Sequence, residues 1–170
     1  LVDFIMNSIS PETSVHYISV GNEVDFVLQK SDWTAFKKFQ IAAAAHIHEH
    51  YPGVKVGCKL TVTSGLLGKN SGNVLSLLEV SDVAMLNYYP QNDVFQVYDL
   101  DRIRSEWEAI IDLISNDKEI YFTEIGFQSG SEYCESSEVK QAEFYHELFD
   151  LWDEQKERVK YLMINWMHDI

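Results

Sequence analysis

Short apolar runs alternate along the chain with longer segments in which apolar residues recur every three or four positions. Runs of the first kind predict β-strands, and segments of the second kind predict amphipathic helices. The predicted strands cover Val15–Val20, Val54–Val62, Asp82–Tyr88, Glu119–Thr123 and Lys160–Trp166. Since these runs are almost continuously apolar, both faces of the sheet are expected to be buried. A helix precedes each strand, and this alternation predicts an α/β fold with a parallel sheet covered by helices.

Ser31 or Asp32 can cap the second predicted helix and Asp101 the fourth, and segments that contain proline end the first two helices. They cover residues 1–9, 31–50, 73–80, a stretch that begins at Asp101, and 137–157. For the last two helices, the spacing of apolar residues also predicts which face is buried. The expected inward residues are Ile103, Trp107, Ile110, Ile111 and Ile114 in the first, and Val139, Ala142, Tyr145, Phe149 and Trp152 in the second.

Composition narrows the possible classes of function. With 46% hydrophobic residues among 170, the chain can bury a core of its own. A net charge of −14 argues against a nucleic-acid partner, because phosphate binding requires clustered lysine and arginine. No apolar run reaches the roughly 18 residues that a membrane-spanning helix needs. The two cysteines, Cys58 and Cys134, have neither metal-site spacing nor a disulfide framework.

Two glutamates are candidates for catalysis because each follows a predicted buried strand. Glu23 ends a Val-Gly-Asn-Glu segment, and Glu124 follows the fourth predicted strand. The carboxyl ends of parallel strands meet at one rim, where α/β barrels carry their chemistry. Two carboxylates placed across a glycosidic bond can cleave it, one as proton donor and the other as nucleophile. Regular strand alternation would place Gly21 on the side of Glu23, which leaves space near the barrel axis. It would also place Phe122 on the side of Glu124.

Polar and aromatic residues at two other strand ends could complete such a site. Asn87 and Tyr89 lie two positions apart, so alternation puts them on one face of their strand. A tyrosine hydroxyl there could hydrogen-bond a carboxylate nucleophile and stabilise its negative charge. Trp166 ends the last predicted strand, and aromatic rings can stack on sugar rings. Ordinary core packing would use both aromatic residues equally well.

Taken together, four segments resemble the large clan of retaining glycoside hydrolases with a (β/α)8 barrel, clan A. The segments are Val20–Glu23, Asn87–Pro90, Thr123–Gly126 and Asn165–Trp166. Within the clan, Ser81–Pro90 is similar to the endo-β-1,4-galactanases, whereas Val20–Val24 and Asn87 also resemble the β-1,3-glucanases of plants and fungi. The match implies that the chain is part of a single catalytic barrel domain, from helix three to strand eight. Activity of the isolated chain does not follow from it.

The resemblance also implies roles for individual residues. Glu23 would be the acid/base and Glu124 the nucleophile of a glycosidase that cleaves β-linked polysaccharide or oligosaccharide by a retaining double displacement. The implied substrate-binding residues are Asn22 beside the anomeric carbon, Asn87, Tyr89 against the nucleophile, and Trp166 as a floor. Such a mechanism needs a carbohydrate substrate and no metal or other cofactor. A secreted or extracytoplasmic location follows only from the resemblance, and the residues predict neither compartment nor oligomeric state.

Other interpretations of the sequence stay open at this point. A carbohydrate-binding barrel without activity would keep an aromatic cleft but would not need both glutamates. A metal-dependent barrel hydrolase is a further alternative, and so is an aldolase, for which Lys59 is the plausible Schiff-base lysine. His46 and His50 lie four residues apart on a predicted helix, but Ile47 stands where the zinc-protease pattern requires glutamate.

Overall fold

The computed structural model of the protein describes residues 1–10, 12–130 and 132–165. In this part of the chain, five strands form one sheet. Strands that follow one another in sequence are also adjacent in the sheet. Every pair is parallel. The strands are β1 (Tyr17–Asn22), β2 (Lys55–Thr61), β3 (Ala84–Tyr88), β4 (Ile120–Ile125) and β5 (Val159–Ile164). The parallel α/β sheet predicted from the alternation is therefore confirmed, with strand ends displaced by one to a few residues.

Helices connect the strands and cover one face of the sheet. They are α1 (Val2–Ser8), α2 (Val24–Val27), α3 (Trp33–His50), α4 (Ser71–Glu79), α5 (Asp101–Leu113) and α6 (Glu138–Gln155). A π-helical turn, Val62–Leu66, directly follows β2. The hydroxyl of Ser137 caps α6 by accepting a hydrogen bond from the Lys140 N–H at 3.1 Å. None of the helices described is both long and apolar enough to cross a membrane.

The main core lies between the sheet and its helices. Phe122 of β4 is fully buried and stacks on Trp107 of α5, with ring centroids 4.8 Å apart. Ile103, Ile110 and Ile114 are buried on the same side of α5 as Trp107, and Ile111 is half-buried against the core. The inward face predicted for α5 is thus confirmed.

The buried face of α6 is displaced by one residue position from the predicted one, although two predicted inward residues, Tyr145 and Trp152, are half-buried and pack against the core. Val139 and Phe149 are exposed, whereas Phe144, Leu148 and Leu151 are buried. Tyr145 and Trp152, which were predicted to face inward, lie at the edge of the buried face. Their polar atoms reach β5 and the residue that follows it. Trp152 donates to the Val159 carbonyl at 2.8 Å, and Tyr145 donates to the Asn165 carbonyl at 3.4 Å. An aromatic ring with a polar tip is stable at such a boundary and does not mark the centre of a buried face.

The observed buried face of α6 predicts losses of stability of very different size for substitutions at two adjacent residues. Leu148→Ala should lower the free energy of unfolding by about 2–5 kcal/mol, because it leaves a cavity at a fully buried position. Phe149→Ala should cause a clearly smaller loss, although it removes a larger side chain. Urea denaturation of the two variants measures both values. A greater loss for Phe149→Ala would contradict the face described here.

Aromatic and charged residues fill the inner face of the sheet near the amino ends of the strands. The rings of Tyr17 and Tyr121 meet edge to face, with centroids 5.1 Å apart, and Tyr161 lies against both. Lys55 and Glu119 form an ion pair of 2.5 Å beside them. Since this end of the inner face is occupied by packed side chains, open space for a ligand lies at the carboxyl ends of the strands.

Candidate active site

A cleft of about 1010 Å³ opens at the carboxyl ends of the strands. Its lining includes both candidate glutamates, Glu23 and Glu124, together with Asn87 and Tyr89. A second hollow of about 720 Å³ lies between the ends of α4 and α5, at the amino ends of the strands. None of the candidate site residues that the structure describes lines it. The cleft at the carboxyl ends is therefore the candidate active site.

A β-bulge in β1 determines where Glu23 lies. Ser19 pairs with Gly57 and Asn22 pairs with Lys59, so three steps along β1 match two steps along β2. The Ser19 hydroxyl lies at this bulge, where it donates to the Gly21 carbonyl and accepts from the Lys59 N–H at 3.1 Å. An extra residue reverses the in-and-out order of the side chains that follow it.

Gly21 therefore does not lie beside the barrel axis, and the expectation that it leaves space there is wrong. A Cβ atom on Gly21 would come 2.6 Å from Val24 Cγ1 and 3.2 Å from Cys58 Sγ. Both of these residues belong to the core between sheet and helices. The glycine is needed because α2 packs closely against the strand that precedes it.

Glu23 itself has a left-handed backbone, with φ 47° and ψ 41°. It shares positive φ with two other non-glycine residues in the described ranges, Phe95 and Glu135. The conformation costs an L-residue roughly 1–2 kcal/mol. It turns the chain from β1 into α2, and the Glu23 N–H donates to the Lys59 carbonyl at 2.9 Å. The side chain then points into the cleft, where Asn87 Nδ2 donates to Oε1 at 3.0 Å.

A second bulge, in β4, turns Glu124 toward the cleft. Leu86 pairs with Phe122 and Asn87 pairs with Glu124, so one step along β3 matches two steps along β4. Phe122 faces the helices, where it stacks on Trp107, whereas Glu124 lines the cleft. The expectation that Phe122 and Glu124 share a side is wrong, because the extra residue changes the alternation between them.

Two donors hold the Glu124 carboxylate. The Tyr89 hydroxyl donates to Oε2 at 3.1 Å, and Lys59 Nζ approaches Oε1 at 3.4 Å. The side chains of Lys59 and Glu124 are only 28% and 22% exposed, so water screens this ion pair incompletely. Asn165 Nδ2 donates to the Tyr89 oxygen at 3.0 Å and so fixes the direction of the hydroxyl proton. The sequence alone had pointed to Lys59 only as an alternative Schiff-base residue.

Asn87 connects the surroundings of the two glutamates. Its side chain is buried, and Oδ1 accepts from the Thr123 hydroxyl at 2.8 Å. This contact leaves Nδ2 to donate to Glu23, with a longer contact of 3.5 Å to Asn22 Oδ1. Asn22 itself is exposed and does not line the cleft. Because Asn87 also pairs in register with Glu124, both carboxylates lie on the same side of the sheet.

Aromatic residues from segments that follow the strands also line the cleft, and sequence reasoning had not identified them. Phe26 in α2 is 62% exposed, and Phe95 is 53% exposed. Phe95 lies in a tight loop held by Asn92, whose side-chain oxygen accepts from two backbone N–H groups at 3.0 Å. An asparagine that precedes an exposed aromatic residue was the available signal for this loop. Trp166, the predicted floor of the site, lies outside the described residues.

The rings of His46 and His50 stack with centroids 4.2 Å apart, but the three histidines of α3 have different hydrogen-bond partners. His46 contacts Asp3 at 2.9 Å, and His48 contacts Asp82 at 2.8 Å. His50 contacts a backbone carbonyl of its own helix. Over the ranges described, no three histidine, cysteine, aspartate or glutamate side chains are placed to hold one metal ion.

No protein-family model matches the sequence, and no curated protein is similar enough to match it. Solved structures do match. A glycoside hydrolase family 17 β-1,3-glucanosyltransferase from Rhizomucor miehei superposes with a TM-score of 0.65 at 16% identity, over 95% of this chain and 56% of that one. An active-site mutant of the Rhizomucor miehei β-1,3-glucanosyltransferase in complex with laminaritriose gives 0.65 at 12% identity, over 96% and 57%.

These comparisons confirm the predicted fold, a partial (β/α)8 barrel like that of the matched glycoside hydrolase family 17 structures. The chain spans a little over half the length of the structures it matches. At such low identity, the likeness establishes the architecture and does not assign an activity.

Proposed function

We propose that the protein is a retaining glycosidase in which Glu124 is the nucleophile and Glu23 is the acid/base. The observation that carries this proposal is that β1 and β4 each contain a bulge that brings a glutamate into one cleft. Since β2 and β3 lie between β1 and β4 in the sheet, the two carboxylates reach the cleft from strands that are not neighbours. The architecture shared with a glycoside hydrolase family 17 enzyme supports the same conclusion.

The different contacts of the two glutamates support this division of roles. Glu124 accepts from a tyrosine hydroxyl and a lysine ammonium, donors that stabilise negative charge on an attacking oxygen. Glu23 accepts from the neutral amide of Asn87, and no ion pair among the described residues includes it. A proton donor needs a carboxyl group that is not tied to a cation, and Glu23 fits that requirement.

The proposed reaction has two steps. In the first, Glu124 attacks the anomeric carbon while Glu23 gives its proton to the leaving glycosidic oxygen, which forms a covalent glycosyl-enzyme. In the second, Glu23 takes a proton from water, and the resulting hydroxide displaces Glu124 from the anomeric carbon. Two inversions leave the released sugar with its original configuration. Tyr89 and Lys59 hold the Glu124 carboxylate before it attacks, and they stabilise it again as it leaves the anomeric carbon in the second step.

β-1,3-Linked glucose oligosaccharides are the first substrates to test. The matched structures come from a β-1,3-glucanosyltransferase, and one of them contains laminaritriose. The exposed rings of Phe26 and Phe95 and the ring of Tyr98 line the cleft and can stack on the apolar faces of sugars. β-1,4-Galactan is the second choice, on the sequence resemblance of Ser81–Pro90.

The anomeric configuration of the first product tests the proposal. With a laminari-oligosaccharide, proton NMR should show the β anomer first and the α anomer only after mutarotation. The matched control is Glu124→Gln, which should release no sugar. An α anomer formed first would mean an inverting reaction and would overturn the assigned roles. Oligosaccharide binding without turnover would instead favour the non-catalytic carbohydrate-binding barrel.

A further inference from the structure

A buried carboxylate lies two residues after Glu23 and takes no part in the reaction proposed above. Asp25, in α2, is 5% exposed and faces neutral groups. We propose that Asp25 is a positioning residue, which holds Glu23 in the cleft by attaching α2 to the end of β2. This inference rests on the proposed function, since it takes Glu23 to be the proton donor.

Both oxygens of Asp25 are bound by the same residue of β2. The Thr61 N–H donates to Oδ1 at 3.1 Å, and the Thr61 hydroxyl donates to Oδ2 at 2.5 Å. Thr61 is the last residue of β2 and is itself buried. The Ser64 hydroxyl lies 2.9 Å from the Thr61 hydroxyl oxygen and extends the network. A carboxylate bound by two donors on one residue has a fixed orientation as well as a fixed position.

The π-helical turn after β2 is shaped around this contact. A Cβ atom on Gly65 would come 2.4 Å from Asp25 Oδ2 and 2.9 Å from the Thr61 hydroxyl oxygen. Any side chain at this position would therefore displace the carboxylate. Turns of this type are rare and are frequently found at functional sites. Here the turn, Val62–Leu66, and the end of β2 both pack against Asp25 of α2.

The same strand also holds Glu23 through its backbone. The Glu23 N–H donates to the Lys59 carbonyl at 2.9 Å, two residues before the Thr61 contact. Glu23 is thus fixed to β2 directly through its own backbone and, two residues on, through the side chain of Asp25. A left-handed residue persists only where its surroundings over-determine the conformation. Without the Asp25 contact, Glu23 can relax and move its carboxyl group away from Asn87.

A substitution that removes the contact should affect only reactions that need Glu23. For Asp25→Ala, we expect kcat/KM on an unsubstituted oligosaccharide to fall on the order of 100-fold, because a small displacement of an acid is enough for such a loss. An aryl glycoside with an acidic leaving group needs little protonation, so its glycosylation rate should change little. Asp32→Asn is the matched control, because this half-buried acid precedes α3 and, within the described ranges, accepts only from the nearby Gln29 N–H and Ser31 hydroxyl.

Two conservative variants separate a positioning role from a general loss of stability. Asp25→Asn should retain most activity, since an amide can accept from the Thr61 N–H and donate to the Thr61 hydroxyl oxygen. Thr61→Val should resemble Asp25→Ala, and it remains a test if the alanine variant does not fold. Equal losses on both kinds of substrate would overturn the inference, and so would an Asp25→Asn variant as defective as Asp25→Ala.

Glu23→Gln, measured in parallel, distinguishes the two possible failures. If Glu23→Gln shows no dependence on the leaving group, Glu23 is not the proton donor and the proposed function fails. If Glu23→Gln shows the dependence and Asp25→Ala does not, the proposed function stands and the positioning role of Asp25 is refuted.

Discussion

Replacing Glu124 with glutamine is expected to reduce turnover of a β-linked oligosaccharide by roughly 10⁴–10⁶-fold, the range found when hydrolases lose a residue of their covalent machinery. Glutamine keeps the shape of the side chain and can still contact Tyr89, so substrate binding should survive. The glutamine cannot attack the anomeric carbon, and it has no negative charge to pair with the Lys59 ammonium. Steady-state kinetics and calorimetric titration of the same oligosaccharide measure the two effects separately. A variant with substantial turnover would exclude Glu124 as nucleophile.

A smaller substitution at the same position identifies the role more directly. In Glu124→Gly, added azide can enter the space left by the carboxylate and attack the anomeric carbon itself. A single displacement from that side gives a glycosyl azide of inverted configuration, which NMR identifies. Lys59→Met is a milder variant for comparison, because it removes the ion pair and keeps the Glu124 carboxylate. It should retain part of its activity, and azide should not restore the remainder.

Replacing Glu23 with glutamine is expected to lower kcat/KM on an unsubstituted oligosaccharide by about 10²–10⁴-fold, the usual contribution of a general acid. An aryl glycoside with a good leaving group should still react in the first step, because its leaving group departs without a proton. The second step lacks its base, so the covalent glycosyl-enzyme should accumulate. Mass spectrometry of the intact protein would detect this intermediate as an added sugar mass.

The control for both glutamates is Glu108→Gln, on the exposed side of α5 and outside the cleft. Its activity should match that of the unmodified protein. Equal losses for Glu23→Gln on both substrates would contradict the acid/base role. An intermediate that accumulates in Glu124→Gln as well would contradict the nucleophile role, since that variant has no carboxylate to form it.

The sheet could be predicted because its signal repeats along the chain. Each strand was predicted from an apolar run. β2, β3 and β4 are largely buried, whereas β1 and β5 are mostly half-buried. The buried face of α5 follows the regular spacing from Ile103 to Ile114. Asn87 and Tyr89 were placed on one side correctly, since β3 is regular up to the cleft and both line it. Where the backbone keeps the period of a regular element, the sequence pattern is sufficient to place side chains.

The site could be predicted only in part, because its two glutamates depend on departures from that period. A bulge adds one residue to a strand, and no characteristic amino-acid composition reveals it in the sequence. The two bulges reverse the predicted sides of Gly21 and Phe122. The acid Asp25 carried no signal either, because its partner Thr61 lies 36 residues away in sequence. Strand alternation identified the rim at which the glutamates lie, and long-range contacts determine how they are held.

The left-handed backbone at Glu23 has a consequence for engineering this protein. Glycine or asparagine would adopt the same conformation more readily than glutamate does, but neither could protonate a leaving group. The same conflict applies at Phe95, where glycine would remove an aromatic ring from the cleft. Selection for thermal tolerance alone would therefore favour residues that cannot serve the proposed reaction at Glu23 or contribute a ring to the cleft at Phe95. Stabilising changes are better sought on the solvent-exposed faces of the helices, where backbone preference and chemistry do not compete.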